Sequence, residues 1–235
     1  MAKRPGTLQT LLRKAKKEGW AKWVRSEADE HAVLNGCYFD KAKGLHVVEF
    51  YGEWLHHFKG EWAGQSFKLL DWERDDLTMP LFGWMRADGS RRYRTAYVEV
   101  PKKNGKSAWC SGLGLYMLVA DGEQGAEVYS AAVDRDQAGI IFDVSASMVD
   151  VSPALSARCE VIRSRKRILF RPSWSTYAAL SADVPTKEGL NIHCLLFDEL
   201  HAQKTRALWE TLRYGGAARR PPLLLSITPA GTDRQ

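Results

Sequence analysis

Long apolar runs are missing from these 235 residues: the longest, around residues 113–120 and 223–225, fall far short of the roughly 20 residues a membrane-crossing helix requires. The basic N-terminus has no apolar core and no small-residue cleavage site, so it does not read as a secretory signal, and the expectation is a protein that stays in a reducing compartment. Paired cysteines are missing too. Cys37, Cys110, Cys159 and Cys194 are scattered, with no Cys-x-x-Cys and no histidine at finger spacing, which excludes a disulfide framework and a zinc finger and leaves four free thiols. The His56-His57 pair and Glu199-Leu200-His201 lack a third ligand at usable spacing and are read as structural. There is no internal repeat and no low-complexity tract, so disorder is not the default.

What is present suits one α/β domain with a full core and a modest N-terminal extension; two large domains would not fit. The net charge of +6 and pI of about 9.1 favour a polyanionic partner. Acid is scarce at the start: Lys3, Arg4, Arg13, Lys14, Lys16, Lys17, Lys22 and Arg25 are opposed only by Glu18. Leu8, Leu11, Leu12 and Ala15 recur at helical spacing beneath them, which predicts an amphipathic helix. Its basic face could lie on DNA phosphate, on a neighbouring subunit, or simply in solvent.

Residues 29–72 mix aromatics with turn signals at Asn35-Gly36 and Lys43-Gly44 and are expected to form a small helical lead-in. After Arg91 strand and helix alternate. Strands are predicted at 93–100, 126–131, within 158–170, at 177–181, 192–197 and 223–228, and helices at 106–120, 136–149 and 205–214, the last ending at Gly215-Gly216. Such alternation predicts a mostly parallel sheet covered on both faces. The Arg163-Ser164-Arg165-Lys166-Arg167 stretch reads as a charged turn, either a phosphate clamp or a solvated tip.

Three elements carry chemistry. Pro101-Lys102-Lys103-Asn104-Gly105-Lys106-Ser107 follows a predicted strand and opens a predicted helix, the context of a phosphate-binding loop. Backbone N–H groups and the helix dipole would cradle phosphates, Lys106 would reach the β and γ oxygens, and Ser107 would ligate Mg2+. Val100 stands where the general pattern has its first glycine. Cys194-Leu195-Leu196-Phe197-Asp198-Glu199 is an apolar strand ending in two acids, a Walker B pattern. Asp198 would hold the metal through water and Glu199 would act as general base on the attacking water. Ser226-Ile227-Thr228-Pro229 is a buried strand ending in a hydroxyl, which suits Thr228 to sensing the γ-phosphate.

Taken together, Leu81-Phe82-Gly83-Trp84, the run from Arg91 through Ser107, Leu180-Ser181-Ala182-Asp183, Glu188-Gly189-Leu190-Asn191, Leu196 through Ala202 and Thr228-Pro229-Ala230-Gly231 resemble the ATPase of tailed-phage large terminase subunits, from about Leu69 onward. That family's phosphate loop also lacks the first glycine. The resemblance implies a P-loop NTPase fold of the additional-strand, catalytic-glutamate type, with ATP and Mg2+ as cofactors. It implies packaging of double-stranded viral DNA into a procapsid in the host cytoplasm, with a portal protein and a small terminase subunit as partners and a homo-oligomeric ring on the portal. It places Lys102 against the phosphates, Trp72-Glu73 where an aromatic–Gln pair recognises adenine, and Thr228 in the coupling element. A cation acting in trans is sought among Lys187, Arg213, Arg219 and Arg220.

The organisation expected is an extension over residues 1–68 and an ATPase domain over 69–235. Nothing follows Gln235, so the nuclease domain usual in the family, and with it DNA cutting, is expected to be absent. A nucleotide-gated assembly protein with little turnover and a helicase-like ATPase stand as alternatives.

Overall fold

The computed structural model describes residues 7–101, 103–132, 135–180, 189–198, 209–210, 212, 215, 219 and 222–230. The chain divides into two compact units that interleave in sequence: Met1–Glu49 with Leu69–Tyr93, and Phe50–Lys68 with Arg94–Gln235.

The first unit is helical. Helix α1 (Leu8–Lys17) keeps its basic residues in water and turns Leu11 and Ala15 inward. Helix α2 (Glu27–Leu34) starts at Ser26, whose hydroxyl accepts from the Asp29 N–H at 3.3 Å. Strand β1 (Tyr38–Phe39) leads into helix α3 (Lys41–Trp54), which continues past the boundary at Glu49. A π-helical turn, Glu73–Thr78, runs into helix α4 (Met79–Gly83), and strand β2 (Trp84–Met85) pairs antiparallel with β1. The core is aromatic: Trp23 stacks on Phe39 at 4.5 Å, and Trp84 meets Phe39 edge-on at 5.8 Å. Arg92 closes it, 2.6 Å from the Asp29 carboxylate.

Two turn signals met different fates. Gly36 has φ +86° beyond the end of α2, as a helix stop requires. Gly44, by contrast, lies inside α3, so Lys43-Gly44 is not a turn. A Cβ there would stand 2.9 Å from the Met79 sulfur, so this glycine is a close approach between segments.

The second unit is built on strands β3 (Thr95–Val100), β4 (Glu127–Ala131), β5 (Cys159–Ile162), β6 (Arg167–Phe170), β7 (Ser175–Leu180), β8 (Ile192–Asp198) and β9 (Leu223–Pro229). They form one sheet in the order β3-β9-β8-β4-β7-β6-β5. The first five in that order are parallel; β6 and β5 add an antiparallel wing. The sheet is the mostly parallel one expected, in an α/β P-loop arrangement, with β9 inserted between β3 and β8.

Helix α5 (Lys106–Val119) is apolar on every side and buried from Trp109 to Leu118, as a helix between layers must be. Gly114 lets it settle on β8: a Cβ there would be 2.8 Å from the Leu196 methyl. Gly112 faces Tyr51 and Leu55, where a Cβ would come within 2.5 Å of the Tyr51 ring. The Tyr51 hydroxyl donates to the Trp109 carbonyl, and Phe50 packs edge-on against Tyr116 at 5.5 Å. This packing is why residues 50–68 belong with the sheet. Helix α6 (Arg135–Val151) lies beside α5, joined by the Ser111 hydroxyl donating to the Ile141 carbonyl at 3.0 Å; the short helix α7 (Pro153–Ser156) follows. The opposite face of the sheet carries Leu195 and Phe197, with Trp209 edge-on to Phe197 at 5.8 Å.

Candidate nucleotide site

Because β3, β9 and β8 are parallel neighbours, their last residues arrive at one edge of the sheet, where ligands of open α/β sheets bind. β3 delivers the loop from Pro101 to Gly105. Gly105 is left-handed at φ 71°, ψ 3°, and its carbonyl accepts from Ala108 and Trp109 at 2.9 and 3.1 Å, starting α5. Lys103 is also left-handed at φ 70°, a conformation that costs a side-chain-bearing residue about 1 kcal/mol. The Asn104 amide donates to the Pro101 carbonyl at 3.2 Å and closes the loop. The first N–H groups of a helix have no helical acceptor. Those of α5 open onto the loop, which is an anion-binding arrangement.

Lys106 is the first residue of α5 and Asp198 the last of β8. The Lys106 ammonium lies 3.1 Å from the Asp198 carboxylate, with the side chains only 15% and 9% exposed. Ser107 is half-buried beside Lys106. Asp198 leaves the sheet on the side of Leu196, towards α5, because side chains alternate along a strand. On β9, between the two strands, Asp198 is registered with Ile227 and Glu99 with Thr228, so the buried Thr228 stands at the same edge. A cation, a hydroxyl and a carboxylate at a helix N-terminus suit a metal–triphosphate: the ammonium matches phosphate oxygens, and the hydroxyl and carboxylate match a hard cation.

The setting of this pair is apolar. Cys110 is fully buried one turn along α5; burial pushes its thiol well up, and the nearby Asp198 and Cys194 push it further, so it packs as a neutral side chain. The Ser226 hydroxyl, two residues before Thr228, is buried with no hydrogen-bond partner among the described residues.

Trp72 and Glu73 belong to the first unit, where the Glu73 carboxylate accepts from the Leu70 N–H at 2.9 Å. Burial pushes this carboxyl up, and the Leu70 bond opposes the shift. The Arg219 guanidinium reaches the Glu123 carboxylate at 2.5 Å and the carbonyls of Asn191, Gln124 and Gly125. Those residues precede β8 and β4, so Arg219 is spent at the amino edge of the sheet, away from the loop. Lys102, Lys187, Glu199, Arg213 and Arg220 lie outside the described residues.

One pair was not foreseen. His193, second in β8, places its Nε2 atom 2.8 Å from Asp121, just past the end of α5. The two elements joined by Lys106 and Asp198 at one end are therefore joined again at the other. A histidine within an otherwise apolar strand is the hint the sequence holds of it.

Known proteins share this fold. The family model described as "Terminase large subunit, ATPase domain" matches residues 72–235. A curated relative, the terminase large subunit of Enterobacteria phage HK97, is 26% identical over 195 residues, covering 81% of this chain and 38% of the relative. The chain thus spans well under half the length of that protein. Among solved structures, the HK97 large terminase superposes with a TM-score of 0.68 at 24% identity, over 79% of this chain and 37% of the other. The ATPase domain of the large terminase of Thermus phage P74-26 gives 0.51 at 22% identity, over 60% of this chain and 62% of the other.

Proposed function

Since the chain belongs to the family of terminase large subunit ATPase domains, we propose that it hydrolyses ATP at the Lys106–Asp198 edge and couples turnover to movement of double-stranded DNA into a phage procapsid. The observation that carries this reading is the 3.1 Å approach of Lys106, at the head of α5, to Asp198, at the end of β8, with Thr228 near the end of the intervening strand β9.

In this reading the loop that starts at Pro101 wraps the phosphates with the backbone N–H groups of residues 102–107. Lys106 exchanges Asp198 for the β and γ oxygens, and Lys102 adds charge there. Ser107 and, through water, Asp198 would hold Mg2+, which when bound neutralises phosphate charge. Glu199 takes the proton of the attacking water. Thr228, on the strand between loop and acid, registers loss of the γ-phosphate. A cation from a neighbouring subunit stabilises the transferring group. With Arg219 engaged within its own chain, Lys187, Arg213 and Arg220 are the candidates. The ring, the portal protein and the small terminase subunit are part of the same proposal.

The test is ATP turnover by the purified chain, with and without duplex DNA, beside Lys106→Ala and Glu199→Gln. DNA-stimulated turnover lost in both variants supports the motor. Equal rates in all three reject hydrolysis at this site, and tight nucleotide binding without turnover replaces the motor by a nucleotide-gated assembly protein.

A further inference from the structure

The antiparallel wing ends in a cationic turn. Strand β6 runs against β7 with Arg167 opposite Ala178, and the Lys166 carbonyl accepts from Ala179 at 3.2 Å. The turn joining β5 to β6 therefore stands at the carboxyl edge of the sheet, as Lys106 and Asp198 do. It carries four cations in five residues, Arg163, Arg165, Lys166 and Arg167, and they are not equivalent. Arg163 pairs with Asp150 of α6. Lys166, left-handed at φ 47°, lays its ammonium over Gly139 of the same helix, so closely that a Cβ there would be 2.0 Å from Nζ. These two fasten the turn to α6. Arg165 and Arg167 are exposed and form no ion pair among the described residues.

We propose that Arg165 and Arg167 form a phosphate-backbone clamp for double-stranded DNA, held in place by Arg163 and Lys166; the proposal rests on the DNA-motor reading above. A turn stapled on one side and cationic on the other has already lost the side-chain freedom that a loose basic loop gives up on binding. Guanidinium groups match phosphate oxygens. The turn opens β6, which lies three strand spacings from β8, roughly 14 Å, with β4 and β7 between, so it faces a second stretch of polyanion, as a duplex lying along this edge would present. No base-reading groups accompany it, so binding should be indifferent to sequence.

The experiment is equilibrium binding of a fluorescent duplex, in several sequences, to the whole chain over a range of salt. Arg165→Ala/Arg167→Ala should bind roughly ten-fold more weakly at low salt and lower the slope of log K against log salt by about 1.8, since each phosphate left without its guanidinium accounts for about 0.9. Basal ATP turnover should be unchanged, and Arg165→Lys/Arg167→Lys should restore most of the slope. Lys41→Ala/Lys43→Ala, which removes the same charge from the first unit, should change the slope little. A clamp variant equal to the parent, or a control pair that costs as much, overturns the clamp and leaves the motor standing. A parent that hydrolyses ATP but binds no duplex overturns both the clamp and DNA coupling.

Discussion

The Lys106 ammonium is held 3.1 Å from the Asp198 carboxylate, joining the first residue of α5 to the last residue of β8. Both side chains are largely withdrawn from water, so the pair is structural as well as chemical. Removing one partner leaves the other charge poorly solvated.

Lys106→Ala and Asp198→Asn should each destabilise the chain, and a double-mutant cycle by urea denaturation without nucleotide should give a coupling of about 0.5–3 kcal/mol. ATP turnover should fall about 100-fold or more in either variant. Strict additivity would mean that the ion pair contributes nothing to the fold.

The glycines of α5 are packing residues. Gly112→Ala drives a methyl group into the Tyr51 ring, which is fixed by its bond to the Trp109 carbonyl, and Gly114→Ala drives one into Leu196. Each should cost about 1–3 kcal/mol, although alanine is the better helix former by about 1 kcal/mol. Thermal melts that rise in either variant would contradict the close approach.

Arg219→Ala removes four intramolecular partners at once. We expect a loss of about 2–4 kcal/mol in stability with turnover per folded molecule unchanged. The reverse, an intact melting temperature with turnover down about 1000-fold or more, would make Arg219 the cation that acts in trans.

Two acids of the first unit should titrate in opposite senses. For Asp29, burial raises the carboxyl, but the Arg92 bond, the Arg25 N–H and the Ser26 hydroxyl together outweigh it and leave the group below its usual 3.8. Its stabilisation is present above that value and lost as pH falls through the lower folded value, so Asp29→Asn should weaken the chain at neutral pH and flatten the acid limb. Glu73 is shifted above its usual 4.5, chiefly by burial. Its contribution is full below that value and lost as pH rises through the higher folded value. Glu73→Gln, whose carbonyl can still accept from Leu70, should raise the melting temperature at neutral pH. Melts of both variants across the acid and neutral range check the signs; parallel curves for parent and Glu73→Gln would refute the second.

Much of this site could be read along the chain. A β-branched run, a glycine-lysine-serine turn and an apolar helix follow one another from 95 to 119, and the apolar segment ending at Asp198 can only be a covered strand. Lys43-Gly44 misled because a glycine that permits a turn and a glycine that permits close packing look alike in sequence; only Met79 tells them apart. The first 93 residues resisted division for a similar reason, since the aromatics of 50–68 belong with Tyr116 and Trp109, far along the chain.

The amino-acid order by itself determined the alternation of strands and helices from residue 95 to 198 and the strand at 223–229, because periodicity and turn chemistry are local. Tertiary structure alone decided that β9 inserts between β3 and β8, that Lys106 meets Asp198, and that Arg219 is consumed at the far edge. Those outcomes depend on which strands pair and how closely layers approach, and such pairings join residues dozens of positions apart in ways that no short stretch of sequence records.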